Sequence, residues 1–374
     1  MNDNTSYERY SRQLALQELG EAGQRKLSGA KVLMIGAGEL GCAALQCLAA
    51  AGVGTIGIID DDIVTLSNLH RQPLYSMTDI GLPKAIQAAA VLRKLNPAII
   101  IDAFNERLTV ANAFEFIRKY DTIIDGTDNF SSRYMINDAC VMNGKPLVYG
   151  AVSKFEGQVA IFNVLMDGTR TANYRDLFPQ PPAAGEIANC EEAGVLGVLP
   201  AIIGAMQASE TIKLITGIGE VLTNKLFTYN ALNNQTYILD LIAGKETRSL
   251  IPPRAEDFLQ TDYDWLCGTG ATSFEINTET FNQLRKQPSV LIADVREPGE
   301  SPVVSGFAHI HVPLGSVADN FPDTADETII LFCQSGKRSA LAAKLLSGKF
   351  GDTKKILSLA GGILKWQQDQ LSLK

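Results

Sequence analysis

Three glycines near the start of this 374-residue chain have the spacing of a phosphate-binding loop. Gly36, Gly38 and Gly41 in "IGAGELGC" follow an apolar run and open an Ala-rich helical stretch, which is the context that G-x-G-x-x-G requires. Such a loop brings backbone N–H groups to a phosphate at a helix N-terminus. Glu39 departs from the pattern, because it places a carboxylate where the anion would approach. The loop alone predicts a phosphate compound without identifying it.

Polar residues after the neighbouring apolar runs indicate which phosphate compound binds. Asp60 ends the second predicted strand, where a carboxylate can hold ribose hydroxyls. Taken singly, Arg71 and Lys84 are ordinary solvated charges and Asp128 is a helix cap. Because strand ends of an open sheet line one crevice, we expect the whole set to converge. Two cations and a carboxylate suited to Mg²⁺ favour ATP, with an NAD-dependent dehydrogenase as the weaker alternative. The set comprises Asp60, Asn68, Arg71, Lys84, Asp128 and Asn129.

A second candidate centre lies in "FCQSGKRSA", residues 332–340. Cys333 follows a predicted strand, and Arg338 begins a predicted helix. Backbone N–H groups pointing into this loop would form an anion cradle that stabilises the thiolate. A cysteine at a strand end is usually a small buried hydrophobe, but C-x-x-G-x-R-S favours a reactive loop. C-x5-R, the spacing assigned to Cys333 and Arg338 here, also describes phosphatase loops, which leaves a phosphatase-like loop as the alternative. The predicted loop comprises Cys333, Gln334, Ser335, Gly336, Lys337, Arg338 and Ser339.

Composition narrows the class of protein. Hydrophobic residues make up 46% and charged residues 20%, as in ordinary globular proteins, and the net charge of −8 disfavours nucleic acid as a partner. The N-terminal "MNDNTSYERYSRQ" lacks the apolar stretch of a signal peptide. The apolar run at 193–205 is shorter than the roughly 20 residues of a membrane span. Six scattered cysteines indicate a reducing compartment. We therefore expect a cytoplasmic protein without a membrane partner.

The elements that must position these residues alternate along the chain. Five predicted strands, separated by helical stretches such as 83–97, indicate a doubly wound, Rossmann-like, mostly parallel sheet. Three more predicted strands and a long helix near 195–215 extend it, the extension being antiparallel. The first five strands are 31–36, 55–60, 98–102, 121–126 and 146–150, and the later three are 157–164, 225–232 and 235–241.

A change in composition separates a second α/β segment. Paired prolines, charges and Gly-Thr-Gly predict a linker at 243–272, between a larger, nucleotide-binding domain at 1–242 and a smaller domain at 273–374. The smaller domain has predicted strands at 290–295, 308–312 and 328–333, and predicted helices at 338–348 and 361–371.

Residues 5–242 resemble the MoeB/ThiF/HesA family, relatives of ubiquitin-activating enzymes. The motifs are "RYSRQ", "GAGELGC", "GVGTIGIIDDDIVTLSNLHRQ", "GLPKA", "DGTDN" and "CEEAGVLGVLP". The resemblance implies ATP-dependent adenylation of the C-terminal glycine of a small ubiquitin-like sulfur carrier ending in Gly-Gly. It implies that Asp60 holds the ribose, that Asn68, Arg71 and Lys84 contact phosphates, and that Asp128 binds Mg²⁺.

The same resemblance bears on assembly and on the carrier. Arg12 in "YSRQ" would reach the ATP of a neighbouring subunit, which implies a homodimer. The "EAGVLGVLP" segment is similar to MoeB, which implies the molybdopterin synthase carrier, with a thiamine-pathway carrier as the alternative. The alternative that is not an enzyme is a degenerate scaffold, which binds the carrier without adenylating it.

Two positions depart from the family pattern. Glu39 stands where the family usually has glycine. Relatives commonly hold zinc with two C-x-x-C pairs, the first in a stretch like "CYRCLFP", but this chain has "NYRDLFP", with Asn173 and Asp176. Neither the first C-x-x-C pair nor a second one exists in the sequence, so we predict no zinc.

Residues 273–374 resemble a rhodanese domain through "LIADVREP", "HIHVPLGS", "CQSGKRS" and "LAGGILKW". The resemblance implies that Cys333 carries a persulfide, supplied by a donor such as a cysteine desulfurase, and that the carrier leaves as a thiocarboxylate. In some relatives a cysteine matching Cys190 links to the carrier or resolves the acyl disulfide; a simple loop cysteine is the alternative. Cys42, Cys47 and Cys140 are expected to be inert core residues.

Overall fold

A mostly parallel sheet organises residues 1–263, the first of two compact units in this computed structural model. The structure describes residues 3–181, 194–263 and 274–371. The strands of this sheet are β1 Lys31–Ile35, β2 Thr55–Ile59, β3 Ile100–Phe104, β4 Thr122–Asp125, β5 Leu147–Ser153, β6 Glu156–Phe162, β9 Lys225–Asn230 and β10 Gln235–Asp240, with a separate hairpin of β7 Leu165–Met166 and β8 Thr169–Arg170.

The strand order is β10-β9-β6-β5-β4-β1-β2-β3. β1 to β5 pair in parallel, whereas β5–β6, β6–β9 and β9–β10 are antiparallel pairs. The predicted fold class, a Rossmann-like sheet with an antiparallel extension, is confirmed. The helices of this unit are Asp3–Leu14, Gly20–Gly29, Glu39–Ala51, Lys84–Leu95, Val110–Arg118, Phe130–Met142, Tyr174–Leu177, Val198–Thr216, Lys245–Arg248 and Ala255–Gln260.

β1 shows why the sequences of the central strands are unbroken runs of apolar residues. Val32 to Ile35 are all buried, because β1 lies between two strands of a parallel sheet with helices against it. The helix that follows ends at Gly52, whose φ of +85° gives the left-handed C-terminal turn. This strand–loop–helix unit holds the three glycines at the carboxyl end of β1.

The long helix Val198–Thr216 belongs to the core of this unit. Its 19 residues are long and apolar enough to span a membrane by length and composition. It packs along the helix Glu39–Ala51 and against β5 and β6. At the crossing, a Cβ on Gly204 would lie 2.3 Å from the carbonyl oxygen of Leu40, so only glycine permits this approach.

The second unit, residues 264–374, is built on a parallel sheet. Its strands are β11 Glu275–Ile276, β12 Val290–Asp294, β13 Ile310–His311, β14 Thr328–Phe332 and β15 Lys355–Leu359, in the order β11-β15-β14-β12-β13. The helices are Thr278–Leu284, Val317–Asn320, Lys337–Phe350 and Gly362–Leu371.

The predicted linker differs from the structure over its first part. Residues 243–263 belong to the first unit, where the helix Ala255–Gln260 packs on the helix Val110–Arg118. Phe258 is fully buried with its ring 4.7 Å from that of Phe114. The Tyr263 hydroxyl donates to Asp138 Oδ2 at 2.8 Å. The prolines and charges predicted a linker here, but Phe258 and Tyr263 hold this segment against the first unit.

Candidate active sites

A cavity of about 910 Å³ lies at the carboxyl ends of β1, β2 and β4. Gly36, Gly38 and Glu39 line it after β1. Most of the sequence-predicted set lines it as well, whereas Gly41 lies beneath the loop and Arg12 is exposed on the helix Asp3–Leu14. The structure thus brings the set together, and the functional roles stay predictions. The other lining members of the set are Asp60, Asn68, Arg71, Lys84, Asp128 and Asn129.

The glycine loop is packed so tightly that no side chain fits at two of its three glycines. Gly36 has φ +91°, and a Cβ there would lie 2.8 Å from the carbonyl oxygen of Gly126. A Cβ on Gly41 would lie 2.2 Å from the carbonyl oxygen of Gly36. The Gly36 N–H donates to the carbonyl of Ile59 at 2.9 Å. These contacts hold the loop backbone at the cavity and at the start of the helix Glu39–Ala51.

Asp60 ties the loop to the end of β2. Its Oδ2 accepts from the N–H of Ala37 at 2.7 Å, and its Oδ1 accepts from the N–H of Asp62 at 2.8 Å. Burial raises the pKa of this carboxyl above its usual range, and the two N–H donors oppose that rise. Each carboxylate oxygen keeps a further lone pair for a ligand hydroxyl.

Glu39 and Arg71 form an ion pair within this cavity. The Arg71 Nε lies 2.8 Å from Glu39 Oε2, and the two side chains are only 18% (arginine) and 10% (glutamate) exposed. Arg71 also donates through Nη1 to the carbonyl of Ser67 at 2.7 Å. Burial raises the pKa of Glu39, while Arg71 opposes this rise and Asp128 adds to it. The carboxylate that breaks the glycine pattern therefore faces the cavity and holds one of its cations.

Lys84 has a partner of a different kind. Its Nζ lies 2.9 Å from Asp62 Oδ2; the lysine side chain is 6% exposed, whereas the aspartate is 70% exposed. The Asp62 carboxylate is therefore well hydrated even without Lys84, unlike that of Glu39. Both predicted phosphate-binding cations are thus paired with acids.

Asn68 and Asn129 stabilise backbone beside the cavity. Asn68 Oδ1 accepts from the N–H of Thr65 at 3.2 Å, which closes a short turn. Asn129 caps the helix Phe130–Met142 by accepting from the N–H of Ser132 at 2.9 Å. Its Nδ2 donates to Asp128 Oδ1 at 3.4 Å. Helix capping, which was an ordinary alternative for Asp128, belongs to its neighbour.

Two buried residues that sequence reasoning left out of the site support the loops. The Tyr75 hydroxyl donates to the carbonyl of Ala37 at 2.7 Å. Asp125 accepts from the N–H and hydroxyl of Thr127 at 2.8 and 2.6 Å. Burial raises the pKa of both Tyr75 and Asp125. Asp125 stands in "DGTDN" and could have been included from that motif, whereas nothing in the local spacing marks Tyr75.

Asn173 and Asp176 belong to a hydrogen-bonded clasp. Asp176 Oδ2 accepts from the N–H and the Nδ2 of Asn173 at 2.8 and 2.7 Å. Its Oδ1 accepts from the N–H of Gly244 at 2.8 Å and from the hydroxyl of Thr247. One carboxylate therefore joins two segments about 70 residues apart.

Within the described ranges, no three His, Cys, Asp or Glu side chains are grouped to hold a metal ion. The absence of zinc stays a prediction.

In the second unit, Cys333 lies buried at the end of β14. Its Sγ accepts from the N–H of Gly336 at 3.2 Å, and the Ser339 hydroxyl lies 3.7 Å away. Gly336 has φ +91°. A Cβ on Gly362 would lie 2.5 Å from the carbonyl oxygens of Cys333 and Gln334, and Gly361 has φ +73°, which together explain the paired glycines of "LAGG". The loop places the Gly336 N–H and the Ser339 hydroxyl around the sulfur, and the same hydroxyl donates to the carbonyl of Gly336 at 2.9 Å.

Arg338 is paired with Glu300. Its two terminal nitrogens lie 2.5 and 2.7 Å from the two carboxylate oxygens. The hydrogen bonds from this guanidinium lower the pKa of Glu300 to about 2.

Four residues separate Cys333 from Arg338, one fewer than in the C-x5-R loop of phosphatases. The phosphatase-like alternative therefore rested on the wrong spacing. Gln334 is half-buried and Ser335 is exposed, and the loop runs on through Lys337 into the helix.

The other cysteines differ in exposure. Cys42 and Cys140 are buried, as expected of core residues. Cys47 is exposed, so its predicted place in the core is wrong. Its turn of the helix Glu39–Ala51 faces outward despite the Ala-rich sequence around it. Cys190 falls in residues 182–193, outside the part of the chain that the structure describes.

Comparison with known proteins identifies both units. The pattern of the ThiF family matches residues 10–249, and that of the rhodanese-like domain matches residues 277–369. A probable adenylyltransferase/sulfurtransferase MoeZ of Mycobacterium tuberculosis is 39% identical over 370 residues, covering 96% of this chain and 92% of that protein. The adenylyltransferase and sulfurtransferase MOCS3 of Xenopus laevis is 34% identical, covering 96% of this chain and 86% of that protein.

A further relative matches only part of the chain. A sulfur carrier protein adenylyltransferase of Thermus thermophilus is 48% identical over 226 residues, covering 60% of this chain and 83% of that protein. Among solved structures, E. coli MccB with ATP matches with a TM-score of 0.54 and 22% identity, covering 65% of this chain and 74% of that one. At this identity the likeness concerns the fold.

Proposed function

Because the chain belongs to the ThiF family and carries a C-terminal rhodanese-like domain, we propose that it adenylates the C-terminal glycine of a small ubiquitin-like sulfur carrier and then sulfurates it. Its enzyme class is that of its relatives along the whole chain, an adenylyltransferase with a sulfurtransferase domain, and this class uses ATP. The resemblance of "EAGVLGVLP" to MoeB supports the molybdopterin synthase carrier. A thiamine-pathway carrier is the alternative, and assaying the two carriers side by side separates them.

One observation carries the adenylation half of the proposal. Arg71 and Lys84 line the same cavity as Asp60 and Asp128, at the strand ends beneath the glycine loop. Cations beside backbone N–H groups suit a triphosphate, and a carboxylate at the end of β2 suits a ribose. The hydrogen bond that Asp128 accepts from Asn129 is long, at 3.4 Å, so its carboxylate retains lone pairs for Mg²⁺.

In the proposed first reaction, a carboxylate oxygen of the carrier attacks the α-phosphorus of ATP. The new bond joins that oxygen to phosphorus, the bond to the bridging oxygen breaks, and pyrophosphate leaves with its electron pair. The attacking carboxylate is already ionised and needs no general base. Arg71 and Lys84 would neutralise charge on the phosphates, and bound Mg²⁺ would neutralise more. Arg12 of a neighbouring subunit would add a cation in a homodimer.

In the proposed second reaction, the terminal sulfur of a Cys333 persulfide attacks the carbonyl of the acyl-adenylate. AMP leaves, and the carrier is joined to Cys333 through an acyl disulfide. A second thiol, for which Cys190 is the candidate, attacks the Cys333 sulfur and releases the carrier thiocarboxylate. The protein disulfide that forms is reduced by an external dithiol, and a cysteine desulfurase reloads Cys333. The donors around Sγ of Cys333 support a bound sulfur anion there.

The adenylation role of Asp128 is tested by carrier-dependent exchange between ATP and pyrophosphate. Asp128→Ala is expected to lower the exchange rate at least about a hundredfold. The variant removes a carboxylate ligand of Mg²⁺, and the ion then no longer neutralises charge on the phosphates. The control is Asp319→Ala, which removes an exposed carboxylate in the second unit and should leave the rate unchanged. Full exchange by the Asp128 variant would exclude this residue as the Mg²⁺ ligand. No exchange by the wild type with either carrier would favour the degenerate scaffold.

A further inference from the structure

The ion pair of Glu39 and Arg71 occupies the end of the cavity where the glycine loop would meet phosphates. Glu39 is the first residue of the helix Glu39–Ala51, so its carboxylate belongs to the first turn, whose N–H groups have no partner within the helix. Those groups and the Arg71 guanidinium are the positive groups that an anionic ligand needs there. An internal carboxylate already satisfies Arg71.

Burial distinguishes this pair from that of Lys84. Asp62 is 70% exposed and stays hydrated when its lysine turns to a ligand. Glu39 is 10% exposed, so losing Arg71 would leave its charge buried and without its cation. Removing one partner from a buried pair is costly because the remaining charge is poorly solvated. A ligand that takes Arg71 from Glu39 must therefore supply that cost from its own binding free energy.

We propose that Glu39 is a specificity-determining residue that competes with nucleotide phosphates for Arg71. This inference rests on the proposed function of the cavity and concerns how strongly the site holds its nucleotide. Each phosphate group that approaches Arg71 meets the carboxylate that already holds it. Ligands without phosphate do not meet this competition, so Glu39 weakens binding of ATP and leaves binding of the nucleoside unchanged.

The test compares binding of ATP and of adenosine to the full-length protein by isothermal titration calorimetry, with Mg²⁺ present. Glu39→Gln retains the shape and a hydrogen-bond acceptor for Arg71 but removes the charge. It is expected to tighten ATP binding about tenfold and to leave adenosine binding unchanged. Glu39→Gly, which restores the usual glycine, should tighten ATP binding as well.

A matched control separates competition for Arg71 from a general change of charge. Glu106 lines the same cavity but is exposed, so Glu106→Gln should change ATP affinity by no more than about twofold. Unchanged ATP affinity in both Glu39 variants would overturn the proposal. Weaker ATP binding would also overturn it, because Glu39 would then be a ligand of the cation or a positioning group for Arg71.

The role of Glu39 and the adenylation reaction are tested by separate measurements. Pyrophosphate exchange by the wild type, measured with the carrier on the same preparation, reports whether the site adenylates. Active exchange with unchanged ATP affinity in the variants rejects the role of Glu39 and leaves the function standing. Tighter ATP binding without exchange retains the role of Glu39 and rejects the adenylation.

Discussion

Arg338 is held in the sulfur loop by a carboxylate from 38 residues earlier in the chain. Both terminal nitrogens meet both oxygens of Glu300, a planar geometry that lysine cannot reproduce. The pair links the segment after β12 to the start of the helix Lys337–Phe350. Arg338 is therefore a structural support of the loop around Cys333, and the pair contributes to the stability of the second unit.

The stability contribution of this pair depends on pH. Because the folded pKa of Glu300 lies near 2, below the usual 4.5, its contribution is full above about pH 4.5 and is lost as the pH falls towards 2. Glu300→Gln is expected to destabilise the second unit by about 1 kcal/mol at pH 7, and by less at about pH 3.5. Urea unfolding followed by tryptophan fluorescence measures this, since both tryptophans, Trp265 and Trp366, come after residue 263 in the sequence and Trp366 is buried.

The control is Glu297→Gln, which neutralises an exposed carboxylate three residues away. It should leave the unfolding curve unchanged at both pH values. A loss of stability in Glu300→Gln that is as large at the acidic pH as at neutral pH would show that packing, and not the ionised pair, supports the loop.

At the scale of single residues, motif spacing predicted which side chains gather at the cavity but not which of them pair. Asp60 and Asp128 could be placed because each comes shortly after an apolar run that becomes a strand. The partner of Glu39 depends on how the turn at 66–72 folds back over the glycine loop. That contact joins residues 32 positions apart, and no local pattern encodes it.

At the scale of elements, the site depends on how closely the start of the helix Glu39–Ala51 packs against the loop after β1. A methyl group at Gly41 would lie 2.2 Å from the Gly36 carbonyl, so the backbone must move. We expect Gly41→Ala to displace the loop and weaken ATP binding more than about tenfold, because the N–H groups no longer point at the phosphates. Calorimetric titration with ATP measures this loss.

Gly29→Ala is the matched control, since a Cβ at Gly29 meets nothing within 4 Å. It lies at the end of the helix Gly20–Gly29 and should leave ATP affinity unchanged. A Gly41→Ala variant that binds ATP as tightly as the wild type would show that the loop does not position the phosphates.

Continuous apolar runs made the parallel strands of the first sheet predictable, because buried parallel strands need apolar side chains on both faces. β15 was missed in the second unit, although "KILSL" becomes its strand. Ser358 interrupts the apolar run, and its hydroxyl is buried by donating to Ser339 at 2.9 Å. β11 has only two residues and gives no period to detect. Local patterns fail where a polar side chain is buried by a distant partner.

At the scale of the molecule, the first unit extends beyond its predicted boundary because polar contacts hold its last segment. The clasp at Asp176 fixes Gly244 and Thr247. Asp138 accepts from Arg175 at 2.7 Å and from the Tyr263 hydroxyl at 2.8 Å, and both side chains of that ion pair are buried. The contacts to Gly244 and Tyr263 span about 70 and 125 residues of sequence. The paired prolines between them gave the opposite expectation.

The whole chain unites two chemistries that the proposed function needs in sequence. An acyl-adenylate hydrolyses unless a nucleophile captures it, and a persulfide needs an activated carbonyl to attack. The fused relatives of similar length are named for both activities. The two units should therefore act on one carrier, the first producing the intermediate that the second consumes.

The most direct test of this account is the intact mass of the carrier after incubation with the full-length protein, MgATP, cysteine, a cysteine desulfurase and the dithiol reductant. The wild type is expected to replace one oxygen of the carrier C-terminus with sulfur. Cys333→Ala should retain pyrophosphate exchange and yield no thiocarboxylate. A wild type that exchanges pyrophosphate but leaves the carrier unsulfurated, or a Cys333→Ala variant that sulfurates it as fast as the wild type, would contradict the account.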